Sequence, residues 1–299
     1  MPTLFTLGVA SVRGFGLFGG GARNIRAIFG YGQTGSFLSM TNLVSSAGVV
    51  STDTTGVGTA RSYLAAAGYG TDKAIFGYGQ NGPDLSLTNL VSNSGVVAAN
   101  TTGVGTARSN LAAAGYGTDK AIFGFGSGSL TNLVSNAGVV ATDTAGVGTN
   151  RYNLAAAGYG TDKAIFGYGY SETAITNLVS NTGVVSNDTA GVGSARGDLA
   201  AAGYGTDKAI FGYGYGTAVS VTSKTNKVSN TGVVAADTTG VGTARNVLAA
   251  AGYSTDKAIF GYGNPTYSMT NLVSNTGVVS TDVTGVGTGR YALAAASFG

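Results

Sequence analysis

The stretch Ala65–Gly79, AAAGYGTDKAIFGYG, returns almost letter for letter from Ala112, Ala155, Ala200 and Ala249. It holds two short runs, AAAGY and KAIFGYG, joined by Gly-Thr-Asp, and each run closes on Gly-Tyr-Gly or a near variant. Apolar runs of this length separated by a glycine-led turn read as a β-hairpin. The 3.6-residue apolar stripe of a helix is absent from them. A glycine inside a strand costs roughly 0.5 to 1 kcal/mol relative to alanine. Its repetition therefore calls for a packed neighbouring sheet, or an adjacent Tyr ring, lying close across it.

Working outward, the hairpin belongs to a longer unit. AIFGYG, once AIFGFG, begins at Ala27, Ala74, Ala121, Ala164, Ala209 and Ala258, with periods of 47, 47, 43, 45 and 49 residues. TNLVS begins at Thr41, Thr88, Thr131, Thr176 and Thr270, with TNKVS at Thr225. GVGTAR or a near variant ends at Arg61, Arg108, Arg151, Arg196, Arg245 and Arg290, followed each time by two free residues and LAAA. Each unit thus supplies four extended runs, LAAAGYG, KAIFGYG, TNLVS and GVVSTD, with turns at Gly-Thr-Asp and Asn-Thr-Gly. Four antiparallel strands in about 46 residues is the size of a propeller blade.

The predicted fold is all-β, a six-bladed β-propeller of four-stranded blades over residues 25–299, preceded by a Gly/Phe-rich N-terminal arm, residues 1–24. The first AIFGYG has no clear LAAA before it, and the last LAAA has no AIFGYG after it. Pairing YALAAASFG with RAIFGYG closes six complete blades into a ring and removes the exposed edges. A second arrangement stays open: GVASVRGFG in the arm imitates GVGTARSYL and would supply that strand itself, leaving the C-terminal strand to begin a seventh, incomplete blade.

The motif R-x-x-LAAAGYGTDKAIFGYG resembles the kelch-type blade, in which an Arg after a loop precedes an apolar strand, a tight turn and a second strand ending in glycines. The resemblance spans every unit, with two departures: the kelch Trp is missing and the diglycine is Gly-Tyr-Gly. Near-identical repeats of the TNLVSNTGVV…GTAR…LAAAGYGTDKAIFGYG kind are also similar to those of predicted virion or tail-associated proteins of marine and cyanobacterial phages. That resemblance implies a virion location; the expectation of a non-enzymatic role comes from the residue types present.

Composition narrows the chemistry. Among 299 residues there are 52 Gly and no Cys, His or Trp, with 10% charged residues and a net charge of +3. A chain without Cys or His can build neither a disulfide framework nor the usual nucleophile–base pairs and transition-metal sites. Asp84, Glu172 and Asp198 are the only acids outside the repeat pattern, so a glycosidase carboxylate pair has few candidates. GVGTAR and FGYG lack the Gly-Lys-Ser/Thr ending and the helix of a phosphate loop. A pI near 9.0 arises from three excess charges without a basic stripe, which speaks against a nucleic-acid partner. No run approaches the roughly 18 apolar residues of a membrane span, and the N-terminus lacks the basic region of a secretory signal. No cofactor, metal, nucleic acid or membrane insertion is expected; the charged repeats read as structural, with a ring of acidic Ca²⁺ sites as the sharper alternative.

Where the six copies differ marks what the fold leaves free. Between FGYG and TN stand QTGSFLSM, QNGPDLSL, SGSL, YSETAI, YGTAVSVTSK and NPTYSM, with lengths of 8, 8, 4, 6, 10 and 6. All are even, so a hairpin can lengthen by one residue on each arm without flipping which side chains face which side. The second free site is the pair after each Arg: Ser62-Tyr63, Ser109-Asn110, Tyr152-Asn153, Gly197-Asp198, Asn246-Val247 and Tyr291-Ala292. Four alternating strands put both free sites on one face and the invariant turns on the other. Binding usually resides in loops on a rigid frame. The candidate binding residues are Gln33, Phe37, Tyr63, Asn81, Asp84, Asn110, Tyr152, Tyr170, Glu172, Asp198, Tyr215, Lys224, Asn246, Asn264, Tyr267 and Tyr291. The expected partners are a host-surface glycan or protein on this face, and other virion proteins through the arm, where Phe5, Phe15 and Phe18 lie among glycines. A purely structural virion component, or a cellular kelch-like module in the cytoplasm, is the competing reading.

Overall fold

A computed structural model describes residues 25–126, 128–170 and 173–299. The arm, residues 1–24, and Glu172 lie outside the described residues.

The two runs of the repeated hairpin bury themselves differently, and that difference orders each sheet. In β3 (Ala65–Tyr69) buried and half-buried residues alternate, whereas β4 (Lys73–Gly77) is buried at every position after its lysine. A strand covered on both faces belongs in the middle of a sheet packed from both sides. Accordingly β4 pairs antiparallel with β3 on one edge and with β5 (Thr88–Val91) on the other. The unit recurs as β6 (Ala112–Tyr116), β7 (Lys120–Gly124) and β8 (Thr131–Val134), then as β9 (Ala155–Tyr159), β10 (Lys163–Gly167) and β11 (Thr176–Val179). A fifth sheet orders β12 (Ala200–Tyr204), β13 (Lys208–Gly212) and β16 (Thr225–Val228), and its variable hairpin forms the small pair β14 (Tyr215–Gly216) and β15 (Ser220–Val221). The sixth contains β17 (Ala249–Tyr253), β18 (Lys257–Gly263) and β19 (Tyr267–Val273).

The remaining sheet joins the two ends of the repeat. β1 (Arg26–Gly30) has β2 (Thr41–Val44) on one side and β20 (Ala294–Phe298) on the other, with Ile28 opposite Ala296. The inner place beside β1 is thus filled by the C-terminal strand, and the alternative in which the arm supplies that strand is not realised.

Each sheet holds three strands where four were expected. The fourth run touches the third only through isolated bridges, such as Thr41 to Thr54 and Val44 to Val50. Between these bridges two residues on one side, Asn42 and Leu43, face three on the other, Ser51 to Asp53, so a continuous ladder cannot form. The Asn42 amide fills the gap, donating to the Ser51 carbonyl at 3.0 Å and to Asp53 Oδ1 at 2.9 Å. Side chains thus supplement the few backbone bonds of the outermost run, such as Thr54 to Thr41 and Ser51 to Leu43.

Packing between sheets repeats with the units. β3 packs on β6, β6 on β9, β9 on β12, β12 on β17, β17 on β20, and β20 on β3. Each apolar cluster draws on two successive sheets, as where Ile28 and Tyr31 join Leu64, Ala74 and Phe76. The glycines serve this packing: of the two expected coverings, the neighbouring sheet is the one found over the middle strand, and the ring it brings is a Phe. A Cβ on Gly124 would lie 2.7 Å from Cζ of Phe166 in the next sheet. On the inner strands, a Cβ on Gly115 would meet the Gly68 carbonyl at 3.2 Å.

Candidate functional site

Six buried arginines fix the frame that carries the variable segments. Each is at most 1% exposed and stacks on an aromatic ring of the preceding sheet at 4.3–4.6 Å. Arg151 shows the pattern: Nε donates to the Tyr168 carbonyl at 2.9 Å, Nη1 to the Thr149 carbonyl at 3.2 Å, and Nη2 to Asn177 Oδ1 at 2.5 Å. Burial pushes its guanidinium down to about 10, still charged at neutral pH. Asp188 lies 3.8 Å away, as Asp53, Asp143, Asp237 and Asp282 lie 3.8–4.0 Å from their own arginines. Burial alone would raise these carboxyls. Hydrogen bonds from the facing Thr or Ser and from the Asn, and the nearby arginine or lysine, hold them below the ordinary carboxylate value. Asn100 takes the acid's place opposite Arg61, donating to Thr59 Oγ1 at 2.7 Å.

This frame delivers the residue pair after each Arg to one end of the inner strands. Tyr63, Asn110, Asn153, Asp198, Val247 and Ala292 all adopt the left-handed backbone, with φ of 52–57°. Each amide donates to the carbonyl of the equivalent residue before it, Asn110 to Tyr63, Asn153 to Asn110, Asp198 to Asn153, Val247 to Asp198 and Ala292 to Val247, at 2.8–3.0 Å. Tyr63 in turn donates to Ala292 at 2.9 Å, so the bonds form one continuous cycle. Together with Leu64, Leu111, Leu154, Leu199, Leu248 and Leu293, these residues line a cavity of about 90 Å³.

The variable hairpins are bonded to the same belt. Bridges join Tyr291 to Gln33, Ser62 to Gln80, Tyr152 to Tyr170, Gly197 to Tyr215 and Asn246 to Asn264. The Tyr152 and Tyr170 rings lie 5.6 Å apart and tilted by 38°, and the Tyr170 hydroxyl donates to Asp198 Oδ2 at 3.2 Å. Asn246 also bonds the Asp198 carboxylate, whose affinity for protons is raised because burial outweighs both bonds. Tyr63, half-buried and near the charge of Asp198, is raised as well. Phe37 and Asp84 pair back onto Gln33 and Gln80 within their hairpins, and Asn81 is exposed beside Asp84. Tyr267 closes the last hairpin against Gly263. Lys224 is placed differently: its ammonium bonds Asp237 at 3.1 Å and Ser194 Oγ at 3.0 Å, inside the arginine network. Asn153, Val247 and Ala292 belong to the free pairs seen in the sequence but not to its candidate binding residues, and the leucine floor was not foreseen at all. The LAAA leucines carry no signal apart from strand packing.

The invariant turns gather at the opposite end of the strands. There Gly70 donates to the Asp119 carbonyl, Gly117 to Asp162, Gly160 to Asp207 and Gly205 to Asp256, each at 2.7 Å. Lys73, Lys120, Lys163, Lys208 and Lys257 each pair with the neighbouring Asp at 2.6–3.0 Å. Those acids are held singly, and among the described residues no three acids are grouped to take a metal ion.

No family model matches the chain, and no curated protein matches its sequence.

Proposed function

We propose that the six sheets form a closed six-bladed propeller whose variable face binds a host-surface glycan or protein, and that the chain is a non-enzymatic part of a phage virion or its adsorption apparatus. The cycle of inner-strand contacts from β3 through β20 and back supports the ring, as does the pairing of β20 with β1. One observation carries the binding role. Five of the variable hairpins and the varied residues after the arginines are bonded together at one end, away from the repeated Lys–Asp turns. Diversity on a fixed backbone is how a rigid frame presents a recognition surface. The resemblance of the repeats to phage virion proteins supports the location, and an arm that reaches other virion proteins completes the reading.

The test is to replace the five longer hairpins by the shortest, SGSL, and to measure attachment to host cells and incorporation into particles separately. Lost attachment with intact incorporation is expected. Lost incorporation with no effect on attachment would favour the purely structural role. Deleting residues 1–24 is expected to abolish incorporation while the unfolding temperature stays unchanged.

A further inference from the structure

Ten of the described aspartates lie within 4.0 Å of a lysine or arginine nitrogen. The two without such a partner are Asp84, exposed on its hairpin, and Asp198, half-buried in the cavity wall. Asp198 is held by neutral groups, the Tyr170 hydroxyl and the Asn246 amide. A carboxylate withdrawn from water without a cation is costly to keep charged unless something supplies the opposite charge.

The surroundings say what kind of cation fits. Asn110, Asn153 and Asp198 follow one another around the belt and form a polar arc; Val247, Ala292 and Tyr63 complete it as an apolar and aromatic arc. Leucines make the floor. A cavity of about 90 Å³ exceeds the space of a single water several times over. Such a cup suits a group with a donor-rich charged head and a short apolar body, the head toward Asp198 and the body against Val247 and the ring of Tyr63.

We propose that this cavity binds a primary ammonium group on a short carbon stem, with Asp198 as its counter-ion. The proposal rests on the reading of this face as a recognition surface and names the chemistry at its centre. Two surface molecules carry that group, an amino sugar of a glycan and a lysine side chain of a protein.

The purified full chain is titrated with D-glucosamine and with Nα-acetyl-lysine methylamide, followed by ligand-observed NMR. N-acetylglucosamine and the Nε-acetylated lysine serve as neutral counterparts. At least one ammonium probe is expected to bind at about 10 mM or below, and its neutral counterpart about tenfold more weakly or worse. Which of the two binds identifies the source. Asp198→Asn is expected to weaken the ammonium probe about tenfold or more. That variant will fold, since Asn already occupies the equivalent place at Asn110 and Asn153 with nearly the same φ. Asn153→Asp is expected to tighten binding several-fold by adding a second carboxylate to the arc. Binding of neither ammonium probe, or binding indifferent to Asp198→Asn, overturns the proposal. Hairpin replacement tests the recognition surface separately: attachment that is lost with the hairpins yet untouched by Asp198→Asn removes the ammonium cup alone.

Discussion

The two ends of the inner strands solve one structural problem in opposite ways. At each end, units are tied by backbone hydrogen bonds from one to the next, and at each end the chain turns through the left-handed region. At the invariant end that backbone carries Gly-Thr in four turns, at Thr71, Thr118, Thr161 and Thr206, and Ser254 in the fifth, beside the same Lys–Asp pair. At the variable end six positions share φ of 52–57° yet hold Tyr, Asn, Asn, Asp, Val and Ala. The fold demands the backbone conformation in both places. It demands the side chain in only one, and freedom of the side chain is what a recognition surface requires.

Removing part of the shared frame is the largest way to break that comparison. Arg151→Met is expected to cost about 3 to 5 kcal/mol, because the carbonyls of Tyr168 and Thr149 and the Asn177 oxygen lose their donor inside the protein. Denaturant unfolding measures this, and a loss below about 1 kcal/mol would show that the stacked arginines do not hold the sheets together. Glycines come next. Gly124→Ala puts a Cβ 2.7 Å from the Phe166 ring and is expected to cost about 1 to 3 kcal/mol. On a variable hairpin, Gly82→Ala meets nothing within 4 Å, and only its φ of 81° opposes the substitution, at about 1 kcal/mol. Equal losses at the two glycines would erase the distinction between packed frame and free loop.

Much of this frame was legible because it repeats. Six copies of AIFGYG at near-constant spacing locate the middle strands, and an unpaired AIFGYG at one end with an unpaired LAAA at the other gave the pairing of β1 with β20. The shared face of the two variable sites followed from strand alternation and agrees with the bridges between them. The outer run was misjudged because GVVSTD has the composition of a strand. What stops it is the Asn42 amide bonding the Ser51 carbonyl, a tertiary choice that no propensity encodes. For the middle-strand glycine the sequence left two coverings open, a packed neighbouring sheet or the adjacent Tyr ring, and only the placement of successive sheets decides for the first, with Phe166 over Gly124. Lys224 sits at the end of a variable hairpin, and its length alone lets it reach back to Asp237.

Within the arginine network, one unit departs from the rest and can be made to conform. Arg61 is buried with Asn100 where its five counterparts have an aspartate. Asn100→Asp is expected to stabilise the chain by about 0.5 to 1 kcal/mol at neutral pH, read as a rise in unfolding temperature. The neighbouring aspartates have folded values below the ordinary 3.8. By the same bonding the new carboxyl stays ionised above that value, so the gain is complete there and disappears as pH falls through the lower folded value. A gain that persists in strong acid would assign the effect to packing and not to charge.

The smallest effect bears most directly on the claim that the variable end fixes backbone and frees side chain. Val247 is β-branched and sits at φ 53°, where its methyl groups crowd the backbone, while Asn tolerates that region through local hydrogen bonds. Val247→Asn removes no packed core residue, since the position is half-buried at the cavity edge and its amide bond to Asp198 is made by the backbone. Relief of the left-handed strain is therefore expected to exceed the loss of a few apolar contacts, giving a gain of about 0.5 kcal/mol, a rise of only a degree or two in unfolding temperature. A clear loss instead would mean that the valine side chain, and not only the shape of the chain beneath it, is required at that place, and the contrast between the two ends would narrow accordingly.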